Sequence, residues 1–252
     1  AALGYGRVTG WLKTVFPRVY AQIRLPVYVV LAYSMSTVDV AIVLGPNTPP
    51  TLSVQIVKWM SDPDLAMRLE AAAAALVQLL IVIGSLTLWR GGEILVGILG
   101  AKWVVRGTRS FGDNALRAVG LWAGLLVCTV VLLGLVSLGV WSVAGLWSYP
   151  DVLPDSLSTR SWSRHWGNIL DSGMTTLRIA LCATFIAVLL TLGCLEAEYR
   201  FNFTMSERGI FLLYLPLMVP QTAFLPGLQT LMLSTGLKSG FVPVVLAHLV
   251  FV

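Results

Sequence analysis

Side chains that could carry out catalysis are few in this chain of 252 residues. It contains two histidines, three cysteines and twelve aspartates and glutamates. His165 lies in a polar stretch and His248 in an apolar run, so these residue types do not cluster as an active site requires. A phosphate-binding loop of the form GxxxxGK followed by Ser or Thr is also absent. The sequence therefore predicts no enzyme activity, no catalytic residue and no cofactor of its own.

The cysteines favour packing over redox or metal chemistry. Cys128, Cys182 and Cys194 lie inside or at the ends of apolar runs, without CxxC spacing or a histidine partner. Small apolar packing residues are the better interpretation. We therefore expect neither a disulfide nor a metal site.

Five residues in apolar surroundings are candidates for a translocation pathway. A carboxylate near mid-bilayer costs ~2.5 to 3.5 kcal/mol on insertion scales, so Asp39 should line a pathway or hydrogen-bond to a neighbouring helix. His248 either lines the pathway or is a hydrogen-bonded packing residue. Pro220, Gln221 and Thr222 mark a proline-interrupted span that either lines a wet cavity or forms a packed kink.

The elements that must position these residues are membrane helices. Hydrophobic residues make up 57% of the chain and charged residues 12%, more apolar surface than a soluble core of this length buries. The apolar runs are continuous and several reach the ~20 residues that cross a bilayer, without the alternation of a barrel strand. We predict an all-α, polytopic transmembrane helix bundle of about six spans, at 24–45, 66–89, 118–146, 172–196, 209–233 and from 241 onward.

Basic residues set the predicted orientation. Eleven of the 17 Lys and Arg residues fall in the stretches 1–24, 90–117 and 197–208, which the positive-inside rule assigns to the cytoplasm. The net charge of +5 is spread between hydrophobic runs, and a nucleic-acid site would need one basic patch. We expect a membrane-lipid environment and no nucleic-acid partner. In the outer loop at 46–65, the pattern from Leu52 to Trp59 predicts a short segment on the membrane surface or capping the bundle.

The polar stretch before the first span is patterned. Ala1 to Leu3 can close a short helix that stops at Gly4 or Gly6. A second helix is predicted from Val8 to Val15, ended by Pro17. The result would be a compact knob at the cytoplasmic face.

This stretch resembles the cytoplasmic loop of binding-protein-dependent permeases of ABC importers. In that family Glu-Ala-Ala is followed by three residues, a glycine, nine residues and Ile-x-Leu-Pro. With Gly4 as the glycine, the spacing leads to Thr14 to Pro17, where Thr and Phe replace Ile and Leu. The runs at 215–237 and 242–252 also resemble spans of these permeases. Glu70-Ala71-Ala72 spells the same letters without the glycine or proline, and is interpreted as the opening of a span.

The resemblance implies a type I ABC importer permease (MetI-like) fold, similar to fused tandem permeases of the thiamine and ferric-iron type. It divides this internal fragment into the end of one permease unit (1–90), a cytoplasmic linker (91–116) and the start of a second unit (117–252). The implied location is the bacterial inner membrane. The implied partners are a cytoplasmic ABC ATPase, expected as a homodimer that binds the ATP, and a periplasmic or extracellular substrate-binding protein.

Residues 1–17 would then be the loop that docks on the ATPase. The residues expected at that contact are Leu3, Gly4, Tyr5, Gly6, Arg7, Trp11, Phe16 and Pro17. An interfacial connector without a partner remains the alternative for this stretch. For the whole chain the alternative is an ion-coupled secondary transporter, which uses membrane-embedded acids and broken helices.

Overall fold

The computed structural model describes residues 5–107, 113–148, 151–202, 206–237 and 240–250, which are almost entirely helical. This confirms the all-α prediction. The helices are α1 (Arg7–Gly10), a π-helix (Trp11–Val15), α2 (Phe16–Ser36), α3 (Asp39–Leu44), α4 (Leu52–Met60), α5 (Met67–Val105), α6 (Asp113–Ser142), α7 (Arg160–Phe201), α8 (Glu207–Met218), α9 (Gln221–Ser234) and α10 (Phe241–Leu249).

Within the described residues, fewer helices are long and apolar enough to cross a membrane than the six spans predicted. Among the described residues, three are long and apolar enough: α5, α7 and the part of α6 from Arg117. Helices α8 and α9 would make a fourth span as a bent pair. The bundle of membrane helices is confirmed, with three or four candidate spans among the described residues where about six were predicted. The predicted run from 241 is described as a helix of nine residues, Phe241–Leu249.

The predicted span 24–45 is not one helix. Helix α2 ends at Ser36 and α3 begins at Asp39. The hydroxyl of Ser36 donates to the carbonyl of Ala32 at 3.1 Å, and that of Thr37 to the carbonyl of Tyr33 at 2.8 Å. Such bonds compete with the helical pattern. Asp39 then starts a new helix, where a carboxylate is favourable.

The prediction that Pro17 ends a helix was wrong. Pro17 is the second residue of α2, and α1 and the π-helix precede it in sequence without a loop. Proline is tolerated in the first turn of a helix because the N–H it lacks has no helical partner there. The helix predicted from Val8 to Val15 is present, as a turn of α-helix followed by the π-helix.

The chain packs as two units. The first consists of residues 1–15 and 107–178. Here α1 packs against α6, and the loop after α6 folds back on itself. In that loop Gly145 donates its N–H to the carbonyl of Ser156 at 2.8 Å, and Ser158 donates to the carbonyl of Val143 at 2.7 Å. These bonds bring the start of α7 beside the end of α6.

The second unit consists of residues 16–106 and 179–252. Its best-buried contact places α4 on an alanine face of α5. Ile56 of α4 is 1% exposed and packs against Ala71, Ala74 and Ala75, whose small side chains permit close approach. This finding agrees with the expectation that the 46–65 loop caps the bundle. Glu70 lies in the first turn of α5, which confirms that Glu70-Ala71-Ala72 opens a helix.

A second cluster in this unit joins α2, α5 and α8 through Ala32, Val82 and Met218. Beside it the side-chain amide of Gln78 donates to the carbonyl of Met35 at 2.7 Å. Helix α5 continues as far as Val105, so most of the predicted linker is helical. Packing does not decide how the chain divides into permease units, and that division stays a prediction.

Candidate functional site

Helices α8 and α9 meet at a sharp break built by prolines. Their axes are bent by 97°. Helix α8 ends at Met218, because the residue before a proline is disfavoured in helical conformation and Val219 is extended. The carbonyl of Pro220 accepts from the N–H groups of Ala223 at 2.9 Å and Phe224 at 3.1 Å. The chain therefore restarts as α9 immediately after the break.

A cavity of about 730 Å³ lies beside α9. Helix α4 contributes Ile56, and α10 contributes Val244 to a mostly apolar wall. This volume matches that of a small-molecule site, which typically has apolar walls and a few polar groups. The polar side chains that line it are Ser61, Gln221, Thr222, Gln229 and His248.

Two of these polar groups have unusual hydrogen bonding. The hydroxyl of Thr222 is buried without a hydrogen-bond partner in the described structure. The Nδ1 atom of His248 lies 2.8 Å from the carbonyl of Val244. Since a carbonyl only accepts, Nδ1 must carry the proton, which in the neutral ring leaves Nε2 as an acceptor.

Three of the five predicted pathway residues line this one cavity: Gln221, Thr222 and His248. Pro220 is buried at the α8–α9 break and sets the start of α9. Asp39 differs, because it is exposed at the start of α3 and Val38 lines the cavity instead. Whether Asp39 lies inside the membrane stays a prediction. Whether substrate passes along this wall stays a prediction.

Of the residues predicted to contact an ATPase, Leu3 and Gly4 lie outside the described residues. Tyr5 and Gly6 are half-buried, and the Lys13 ammonium lies 5.2 Å from the centre of the Tyr5 ring. Arg7 is exposed and Trp11 is 45% exposed. In the second unit, Phe16 is half-buried and packs 5.7 Å from the Tyr20 ring, while Pro17 is exposed.

Within the described residues, no group of three or more His, Cys, Asp or Glu side chains could hold a metal ion. The described structure therefore offers no metal centre beside the cavity. Cys128, Cys182 and Cys194 are free and exposed on their helices.

Comparison with known proteins adds one relative. The chain is 30% identical over 258 aligned residues to the inner membrane ABC transporter permease protein YnjC of Escherichia coli (strain K12). The chain is similar to an ABC transporter permease. The likeness covers all of this chain and 43% of YnjC, so the chain spans less than half of that permease. No model of a known protein family and no solved structure matches.

Proposed function

We propose that this chain is part of the permease of an ABC importer in the bacterial inner membrane. The observation that carries the proposal is the likeness to YnjC along the whole chain. Helices long and apolar enough to cross a bilayer agree with it. The chain would form part of the translocation pathway, while a separate cytoplasmic ATPase, expected as a homodimer, binds and hydrolyses ATP. The finer assignment, a fused tandem permease of the thiamine and ferric-iron type, belongs to the same proposal.

Residues 1–17 would couple the chain to that ATPase. The spacing from Gly4 to Pro17 supports this role, as does the exposure of Arg7, Trp11 and Pro17. A short helix with exposed basic and aromatic side chains can dock in a groove through an anchoring aromatic residue. Movement of the ATPases would then be transmitted to α2, which follows this segment in sequence.

The cavity beside α9 would be the part of the pathway that this chain contributes. By the predicted topology, α4 and the turn after α9 lie on the outer side, where a substrate-binding protein would deliver its ligand. Gln221, Gln229 and His248 offer amide and imidazole groups on an otherwise apolar wall. Such a wall can pass a small molecule without holding it tightly.

Crosslinking tests the coupling role directly. Arg7→Cys and Trp11→Cys, introduced in the full-length protein, should crosslink to cysteines in the docking groove of the co-expressed ATPase. The yield should differ between the nucleotide-free and ATP-trapped states. Asp62→Cys, at an exposed site in the predicted outer loop, is the matched control and should give no product. Absence of a crosslink from both positions in every nucleotide state would refute the coupling role.

An ion-coupled secondary transporter remains the alternative, and the broken pair α8–α9 favours it. Discontinuous helices beside a cavity are typical of secondary transporters. Uptake into vesicles separates the two functions. Transport that requires ATP and the ATPase supports the importer, whereas transport driven by an ion gradient without ATP supports the alternative.

A further inference from the structure

Glu93 of α5 binds two tyrosines of α2. Its Oε1 atom accepts a hydrogen bond from the Tyr20 hydroxyl at 2.6 Å, and its Oε2 atom accepts one from the Tyr28 hydroxyl at 3.1 Å. The Arg90 guanidinium donates to the same Oε2 at 2.6 Å. Only 9% of the Glu93 side chain is exposed. The carboxylate is therefore a nearly buried charge whose partners come from two helices.

The partners on α2 share one face of that helix. Tyr20, Arg24 and Tyr28 follow one another at intervals of four residues, which places them in a row. The indole N–H of Trp89 donates to the Tyr20 hydroxyl at 2.9 Å. Burial and the hydrogen bond to the Glu93 carboxylate raise the pKa of Tyr20, so its hydroxyl keeps the proton that it donates.

Arg24 is a second cation close to the Glu93 carboxylate, at a distance longer than a hydrogen bond. Its Nε atom lies 3.6 Å from Oε2 of Glu93, is buried and has no hydrogen-bond partner in the described structure. A buried donor without a partner is costly. A small shift of α2 toward Glu93 would close this gap, so the carboxylate can keep a cation whether Arg90 or Arg24 is nearer.

This network differs from the apolar contacts around it. The neighbouring cluster of Ala32, Val82 and Met218 holds the helices together through apolar contacts, which are non-directional. If α2 slips, the Glu93 carboxylate keeps Arg90 of its own helix but loses the hydrogen bonds from Tyr20 and Tyr28, and a nearly buried carboxylate without its donors is costly. The hydrogen bonds of Glu93 therefore favour one axial register of α2 against α5.

We propose that Glu93 is a positioning residue that locks the register of α2 on α5. As a result, displacement of residues 1–17, the proposed coupling segment, would move both helices together. Only the second part of this proposal, the transmission of movement to α5, rests on the proposed function. The register lock belongs to α2 and α5 themselves, whereas transmission requires the ATPase. The two parts can therefore fail separately.

The lock is tested without nucleotide in the full-length protein. Spin labels at Val19 of α2 and Leu88 of α5, both exposed, report the distance between the helices. Glu93→Gln should broaden the distribution or add a second distance, while Glu70→Gln, an exposed carboxylate of the same helix, should leave it unchanged. A distribution identical in Glu93→Gln and wild type would overturn the proposal.

Further variants keep the test valid if Glu93→Gln does not fold. The double variant Tyr20→Phe and Tyr28→Phe removes both donors without removing the charge and should broaden the same distribution. Tyr33→Phe, which changes an exposed tyrosine of α2, is its control. Arg90→Gln alone should keep a single distance because Arg24 takes its place. An equal effect of Tyr33→Phe and the double variant would count against the lock.

Transmission is tested with the ATPase bound. In the protein with Glu93 intact, ATP trapping should move a spin label on α5. In Glu93→Gln the coupling segment should still crosslink to the ATPase, but the α5 label should not move. ATP hydrolysis by that variant should no longer respond to substrate. A merely structural role would change protein yield without separating these readouts. If neither Arg7→Cys nor Trp11→Cys gives a crosslink in the protein with Glu93 intact, the coupling role fails, while the nucleotide-free distances still decide the lock. Normal movement of the α5 label in Glu93→Gln would refute transmission.

Discussion

The packing of α4 on α5 can be tested by filling the alanine face that separates the two helices. Ala71 is fully buried, and Ala74 and Ala75 are 9% and 5% exposed. Ala72, the next residue along, is exposed. Ala71→Leu therefore adds three carbon atoms between α4 and α5, whereas Ala72→Leu adds three carbon atoms on the exposed side of α5.

The size of the effect follows from the close contact between the two helices. Ile56 is 1% exposed and lies in the same cluster as Ala71, so the larger side chain has to push against α4. Overpacking of this kind costs about 1 to 3 kcal/mol. Helix α4 has nine residues and is too short to persist alone, so the strain should be relieved by its detachment. A cost of about 2 kcal/mol shifts the docked-to-detached equilibrium about 30-fold.

Cysteine labelling measures that equilibrium. Val54 of α4 is 5% exposed, and Val54→Cys should react slowly with a maleimide in a background where Cys128, Cys182 and Cys194 are replaced by alanine. Ala71→Leu should raise the labelling rate about 5- to 150-fold, in line with the ~1 to 3 kcal/mol cost. Ala72→Leu should leave it unchanged. Equal rates in the two leucine variants would refute the packing of α4 on this face.

Three further substitutions probe single contacts, with thermal unfolding in detergent as the measurement. Thr222→Val removes a buried hydroxyl that has no partner and should stabilise the protein by about 1 kcal/mol; a lower melting temperature would contradict this. Gln78→Leu removes the 2.7 Å bond to a main-chain carbonyl of α2 and should cost about 1 to 3 kcal/mol, so an unchanged melting temperature would argue against that bond. Gly45→Ala places a methyl group against the carbonyl of Ala41 and should destabilise, whereas Gly84→Ala meets nothing and should not; matching effects would contradict the close approach at Gly45.

The helices could be predicted from sequence because their signal is local. Continuous apolar runs located α5, α6 and α7, and Pro220 marked an interrupted span. What the runs could not predict is where a helix ends, because apolar sequence continues from α2 into α3 past the hydroxyl hydrogen bonds of Ser36 and Thr37. The predicted span 24–45 is divided for this reason.

The candidate site was predictable in its residues but not in its assembly. Gln221, Thr222 and His248 stood out because polar groups are rare in apolar runs, yet only the packing of α10 near α9 brings His248 to the same wall. Glu93 was missed because Arg90 and Lys102 made its surroundings look like a basic linker. The interval of four between Tyr20, Arg24 and Tyr28 was the available signal. It predicts a row of hydrogen-bond donors on α2, but it does not indicate that the Glu93 carboxylate accepts from them.

The length of α5 relates these two regions. Ala71, which contacts α4 beside the cavity, and Glu93, which binds α2, are 22 residues apart on this helix, a separation of about 33 Å at 1.5 Å per residue. That is close to the ~30 Å of a bilayer's hydrocarbon core. By the predicted topology, one helix thus carries the proposed lock near one membrane face and the contact with α4 near the other. Since its hydrogen-bonded backbone resists compression, a displacement imposed at Glu93 reaches the α4 contact as movement of α5 as a whole, and no chain of side-chain contacts through the bundle is needed.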